Sequence, residues 1–178
     1  MTSPDRVTPN DSPALTIERA ELSDIPEIAP LFEGYRAFYG KEPALEHATA
    51  FLEDRMAGNE SVVLVARVVT DGNEARGAIA GFAQLFRALS SLSLGKTMIL
   101  NDLYVAPEWR RAGAARLLVN ASIAHAKSEG ALRLELSTQH SNTKARALYD
   151  SLGFVADDEF TSLSLPLRVP EGGSRNIP

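Results

Sequence analysis

Residues 100–127 read LNDLYVAPEWRRAGAARLLVNASIAHAK, and the change of hydrophobic period inside this stretch decides the fold. Thr97–Val105 reads as a strand, and Pro107 marks a short loop. From Gly113 onward, Ala114, Leu117, Leu118, Ala121 and Ala124 recur at the spacing of an amphipathic helix, which Gly130 closes. The junction itself spells Arg110-Arg111-Ala112-Gly113-Ala114-Ala115. The start of a helix carries unsatisfied backbone N–H groups and the positive end of the helix dipole, so it is a natural anion site. Gly113 and the alanines lack bulk, which lets a pyrophosphate approach the backbone, and Arg110, Arg111 and Arg116 can add charge at the rim. Alone, Arg-x-x-Gly-x-Ala recurs by chance among unrelated chains. Its position at a strand–helix junction gives it weight.

Other phosphate sites fit less well. The loop lacks Gly-x-Gly-x-x-Gly, and no acidic residue follows at the ribose-binding distance, which argues against a dinucleotide. Gly95-Lys96-Thr97 resembles the end of a P-loop, but the required earlier glycine is Ser90, and a strand pattern follows where a helix is needed.

Working outward, Leu15–Arg19 reads as a first strand. Ser23 or Asp24 can cap a helix that carries Pro26 in its first turn and Ile28, Leu31, Phe32 and Tyr35 on one stripe, ending near Tyr39-Gly40. A second helix spans about Ala44 to Ala57 and stops at Gly58-Asn59. Ser61–Val69 is apolar almost throughout, as a strand buried on both faces would be, and Asp71-Gly72 turns it into Gly77–Phe86. After the central helix come a strand at Leu132–Ser137, a helix at Asn142–Leu152 stopped by Gly153, and two short strands within Phe154–Leu167. The order β-α-α-β-β-β-α-β-α-β-β is that of an α/β (α+β) protein with a mixed central sheet. It occupies one domain, residues 14–167, between loose tails at 1–13 and 168–178.

Composition narrows the function classes. The 178 residues are 44% hydrophobic and 23% charged, the mix of a soluble globular protein. Without cysteine there is no disulfide framework, thiolate zinc site or cysteine nucleophile. A formal charge of −5 disfavours unselective nucleic-acid binding and favours cationic substrates. No apolar run is long enough for a membrane span and the N-terminus has no signal core, so a cytoplasmic protein is expected. His47, His125 and His140 form no cluster with ligand spacing, so no metal is expected.

A second cluster lies at Ser141-Asn142-Thr143-Lys144-Ala145-Arg146-Ala147-Leu148-Tyr149, followed by Leu152-Gly153-Phe154. Asn142 and Tyr149 are seven apart, so an amide and a phenol share one helix stripe. That suits a long thin ligand offering amides and ending in sulfur. The structural alternative is a tyrosine packed beside Leu148 and Leu152.

Together the two clusters resemble the GNAT N-acetyltransferase superfamily, over about Leu15 to Leu167 and most specifically from Leu100 to Phe154. The family's pyrophosphate motif, Arg or Gln, x, x, Gly, x, Gly or Ala, matches Arg110, Gly113 and Ala115. The resemblance implies a V-shaped acetyl-CoA cleft between the fourth and fifth strands. Acetyl-CoA would be held by Leu103, Tyr104, Val105, Arg110, Arg111, Ala112, Gly113, Ala114, Ala115 and Arg116, and on its pantetheine side by Asn142 and Ala145. It further implies direct attack of an amine on the thioester, with Tyr149 protonating the departing thiolate.

The stretches Gly34-Tyr35-Arg36-Ala37-Phe38-Tyr39 and Leu100–Val105 look like the histone- and polyamine-acetylating branch, which makes a homodimer the expected assembly. Where that branch often carries Glu-Asp, this chain has Asn101-Asp102. Asp102 is therefore the first candidate to accept the amine proton and Glu135 the second. Strand alternation puts Asp102 and Tyr104 on one side and Asn101, Leu103 and Val105 on the other. The resemblance also implies that the first two helices wall the acceptor site, where Glu33, Tyr35, Phe38, Tyr39 and Glu42 would meet a small-molecule or peptide amine. The rival reading is a non-catalytic acyl-CoA-binding sensor that kept the loop and lost the base.

Overall fold

A computed structural model describes residues 14–70 and 76–167. The Asp71-Gly72 turn and both tails, 1–13 and 168–178, lie outside the described residues. Five strands form one sheet in the order β1-β2-β3-β4-β5: β1 (Leu15–Arg19), β2 (Ser61–Val68), β3 (Ile79–Ser90), β4 (Gly95–Val105) and β5 (Leu134–Glu135). The first four pair antiparallel, and β5 runs parallel to β4.

Both faces of the sheet are covered, which explains the unbroken apolar run of β2, buried from Ser61 to Arg67. On one face, Val63, Val65 and Phe82 pack with Ile25, Ile28, Ala29 and Phe32 of α1 (Ile25–Phe38) and Ala48 and Leu52 of α2 (Leu45–Ala57). Alternation turns Val62, Leu64, Ala83 and Leu85 to the opposite face, where α3 (Ala114–Ser128) buries Leu118, Val119 and Ala126. Side chains as fully buried as Ile28, Leu52 and Leu118 stabilise the fold by about 1.5–3 kcal/mol each.

Asp24 stands at the N-cap position of α1, but its side chain caps no N–H of that helix. Its carboxylate instead meets Arg67 and Arg76, each at 2.8 Å. Arg67 is buried within β2, so a partner for its charge is required, and this ion pair ties the start of α1 to the sheet.

The described chain divides into two compact units, one ending at Leu136 and the other beginning at Ser137. The second contains α4 (Thr143–Ser151). The two strands expected within Phe154–Leu167 do not form, so the observed order is β-α-α-β-β-β-α-β-α. Alternating apolar residues supply a strand face but not a strand partner, and Leu163, Leu165 and Leu167 are exposed. Asp157 also closes a side-chain turn, accepting from the N–H groups of Glu159 and Phe160 at 3.0 Å each, and Pro166 removes a ladder donor. The strand expected at Leu132–Ser137 shortens to Leu134–Glu135.

Candidate functional site

β4 carries the decisive irregularity. Leu100 pairs with Leu85 and Asp102 with Gln84, leaving Asn101 unmatched as a β-bulge. The extra residue reverses the faces of the strand. Leu100 sides with Leu85 toward α3, whereas Asp102 and Tyr104 side with Gln84 and Phe82 toward α1 and α2. A regular strand would have placed the Asp102 carboxylate on the apolar face beneath α3.

Asp102 is only 4% exposed. The side-chain amide of Asn101 lies 3.1 Å from each of its carboxylate oxygens, and the Tyr35 hydroxyl, which donates to the Asn101 carbonyl at 3.4 Å, lies near enough to favour the carboxylate as well. Burial pushes the carboxyl above the ordinary aspartate range, more strongly than these two donors pull it down. Asn101 therefore does not stand opposite Asp102, as simple alternation predicts; the bulge brings its amide onto the carboxylate.

Around this group α1 places aromatic rings. Tyr35 and Tyr39, one turn apart, meet edge-on with centroids 5.1 Å apart, and Phe38 stands 5.0 Å from Tyr39. Phe82 bridges Tyr35 at 6.4 Å and Tyr104 at 6.5 Å. Burial, and then the charge of Asp102, push the Tyr39 phenol above its usual value. Gly34 admits Tyr104 to this group: a β-carbon there would lie 2.5 Å from the Tyr104 hydroxyl oxygen. A buried carboxylate walled by aromatic faces attracts an ammonium group.

The far end of β4 leads into the loop and helix of the sequence motif. The Ala106 N–H donates to Ala80 on β3 at 2.9 Å, so alternation directs the N–H groups of Leu103 and Val105 to the opposite edge and that of Tyr104 to β3. β5 pairs only with Met98 and Ile99, so β4 and β5 part company before that edge is reached. Arg110 turns back, donating from Nε to the Val105 carbonyl at 3.1 Å with its guanidinium 5.7 Å over the Tyr104 ring. Arg111, at φ +72°, and Gly113, at φ +83°, both adopt left-handed backbone to swing the chain into α3. The first bond of α3 runs from Leu117 N–H to the Gly113 carbonyl at 3.1 Å, so the N–H groups of Ala114 and Ala115 have no carbonyl within the helix. No acidic residue stands in that first turn to neutralise it. Ala112 and Ala115 are half-buried, and Arg111 and Arg116 are exposed at the rim. Small residues, unused amides and arginines fit a diphosphate.

In the second unit, Asn142 caps α4, accepting the Ala145 N–H at 3.3 Å through its side-chain oxygen. That leaves its NH2 group for a ligand carbonyl. Tyr149 packs edge-on against Phe154 at 5.7 Å.

Two acidic residues have other engagements. Glu33 accepts the Ala44 N–H at 2.6 Å and pairs with Arg36, which in turn donates to the Glu42 carbonyl at 3.1 Å. The Ala44 bond is the main reason its carboxyl lies below the ordinary range, with Arg36 adding to it against burial. Glu33 thus fastens the α1–α2 connection. Glu135 is exposed and bonded to Arg133 at 2.6 Å. Sequence reasoning quoted Gly34 without giving it a role and did not single out Gln84. A glycine inside a helical stripe was a legible signal for the first, while a glutamine in a strand of otherwise apolar residues was a weaker one for the second.

The acetyltransferase (GNAT) family model matches residues 28–154. This chain belongs to the GNAT acetyltransferase family. It is 41% identical over 151 residues to an uncharacterized N-acetyltransferase, YhfO, of Bacillus subtilis (strain 168), covering 85% of this chain and 97% of that one. The crystal structure of a probable acetyltransferase superposes with a TM-score of 0.77 at 38% identity, covering 86% of this chain and 99% of that one. A predicted acetyltransferase from Clostridium acetobutylicum, solved with acetyl-CoA, shares the fold at 19% identity and a TM-score of 0.65, covering 85% of this chain and 96% of that one. Among the described residues no group of His, Cys, Asp and Glu can hold a metal ion, and no helix is long and apolar enough to cross a membrane.

Proposed function

We propose that this acetyltransferase moves acetyl from acetyl-CoA to a primary amine by direct attack, with Asp102 accepting the amine proton. The observation that carries the reading is the bulge at Asn101, which turns a buried carboxylate into the aromatic wall of α1 on the strand that leads to the α3 anion site. An alkyl amine binds as its cation, since its pKa lies near the lysine value of about 10.4, and must lose a proton before attack. A carboxyl with raised proton affinity is a better acceptor for that proton, directly or through one water. The N–H groups of Leu103 and Val105 on the open edge of β4 suit a developing oxyanion. The amides of Ala114 and Ala115 with Arg111 and Arg116 suit the diphosphate, and the NH2 of Asn142 suits the pantetheine arm. Tyr149 is the general acid of this reading, by its match to the family's helix tyrosine. A cytoplasmic homodimer handling a small-molecule or peptide amine completes it.

The test is thiol release from acetyl-CoA across a panel of amines, for the wild type, Tyr149→Phe and Asp102→Asn. Turnover with one amine class that falls steeply in both variants is the expected result. Asn101 in place of the usual acid favours one rival, an acyl-CoA sensor without catalysis. Tight acetyl-CoA binding with no turnover over the whole panel would decide for it.

A further inference from the structure

The α1–α2 face of the sheet carries a short polar row of which the proposed reaction uses only one member, Asp102. Ser61 on β2, Gln84 on β3 and Asp102 on β4 share that face, Gln84 standing directly across from Asp102 and one diagonal step from Ser61. All three are buried, at 3%, 0% and 4% exposure. The side-chain amide of Gln84 meets the Ser61 hydroxyl oxygen through its nitrogen at 2.8 Å, which leaves Oε1 buried without a partner among the described residues.

An orphaned buried carbonyl in a packed interior is costly, and nearly every such group finds a donor. The row contains its own remedy. A serine hydroxyl donates as readily as it accepts, and the two ends of a glutamine amide have nearly the same shape. With the amide turned end for end, the Ser61 hydroxyl donates to Oε1 and the amide NH2 takes the buried position that lacks a partner. Directly opposed residues on adjacent strands have their β-carbons about 4.5–5.5 Å apart, so the acceptor across from that NH2 is Asp102.

We propose that Gln84 is a positioning residue for Asp102: the Ser61 hydroxyl holds its amide oxygen, and its NH2 donates to the buried side of the Asp102 carboxylate, directly or across one bound water. Asn101 holds the other side, with the Tyr35 hydroxyl on the Asn101 carbonyl beside it. Ser61 and Gln84 then form the floor beneath the carboxylate, keeping it turned toward the rings of α1. The arrangement favours the ionised form, which is the form that accepts a proton. Among the described residues, the titratable groups on this face near Asp102 are Tyr35 of α1, Tyr39 at its C-cap and Tyr104 of its own strand, while α2 presents Ala48 and Leu52 to this face.

The catalytic consequence rests on the reading of Asp102 as base; the contact itself does not. A carbon-13 titration of the Asp102 carboxyl separates the two, with its resonance identified by loss in Asp102→Asn. In Gln84→Met the titration midpoint should rise by roughly one pH unit, a tenfold gain in proton affinity, because a donor to the anion is lost. Ser61→Ala should move it the same way by less, and gives the answer if Gln84→Met does not fold. An unchanged midpoint in a folded variant would overturn the proposal. The acid limb of kcat/KM should follow the midpoint. A midpoint that moves while the limb stays would keep Gln84 in its role and remove Asp102 as the base.

Discussion

In the proposed site the two ends of β4 contribute in different ways. Its C-terminal end, with the loop into α3, works through backbone: the amides of Leu103, Val105, Ala114 and Ala115 are donors whatever side chains they carry. Its middle works through side chains held in register, Asp102 against Gln84 and beneath Tyr35 and Tyr39. The backbone end needs only small residues and permissive dihedrals, so it tolerates many sequences with the same spacing. The side-chain end needs one extra residue in one strand, and a slip of that register would turn the carboxylate to the wrong face.

The difference predicts separable losses. Asp102→Asn should lower kcat by about 10²–10⁴-fold, the usual range for a lost general base, and leave the Kd of acetyl-CoA unchanged in a direct titration. A comparable loss of acetyl-CoA affinity would show that the two ends are one unit. Gly113→Val should do the reverse, because a β-branched residue strains at φ +83° and the loop must reshape. A strain of about 1.5–3 kcal/mol taken from the bound state raises the KM for acetyl-CoA about tenfold to a hundredfold. The amine KM should stay near the wild-type value.

The same contrast explains what was legible in the sequence. Arg110, Gly113 and Ala115 are near neighbours in the chain, and a strand pattern giving way to a helix pattern around them points to the proposed anion site without tertiary information. The four helices and the first four strands were legible for the same local reason. The bulge was not, because it is a property of two strands: nothing in LNDLYV says that Leu85 and Gln84 will pair with Leu100 and Asp102. Asn101 was therefore assigned to the wrong side, and Gln84 passed without notice. Glu33 shows the converse limit, since the family resemblance put it among acceptor-site candidates while its partners, Arg36 and the Ala44 N–H, are set by how the chain enters α2. The terminal strands failed because alternation in Phe154–Leu167 cannot supply a neighbouring edge.

Gly34 is where the sharper end is most easily disturbed from outside. Gly34→Ala sets a methyl 2.5 Å from the Tyr104 hydroxyl oxygen, so the ring must shift. Overpacking of this kind costs about 1–3 kcal/mol, part of which the helix propensity of alanine offsets. The expected result is a several-fold rise in amine KM with acetyl-CoA affinity retained. An unchanged amine KM would mean that Tyr104 has no part in the acceptor wall.

The smallest effect tests whether Glu33 belongs to the acceptor wall or to the scaffold. Its carboxyl is held below the ordinary range chiefly by the Ala44 N–H, so its ionised form stabilises the folded chain. The sign follows from that direction: the contribution is complete above the unfolded glutamate pKa and is lost as pH falls through the lower folded value. Glu33→Gln should therefore lower the melting temperature by about 2–4 °C at neutral pH, and the gap from wild type should close on acidification. Because the carboxylate is turned toward Arg36 and the start of α2, the amine KM should barely move. A large rise in amine KM at unchanged stability would return Glu33 to the substrate, and would mean that the contact with Ala44 gives way when an amine arrives.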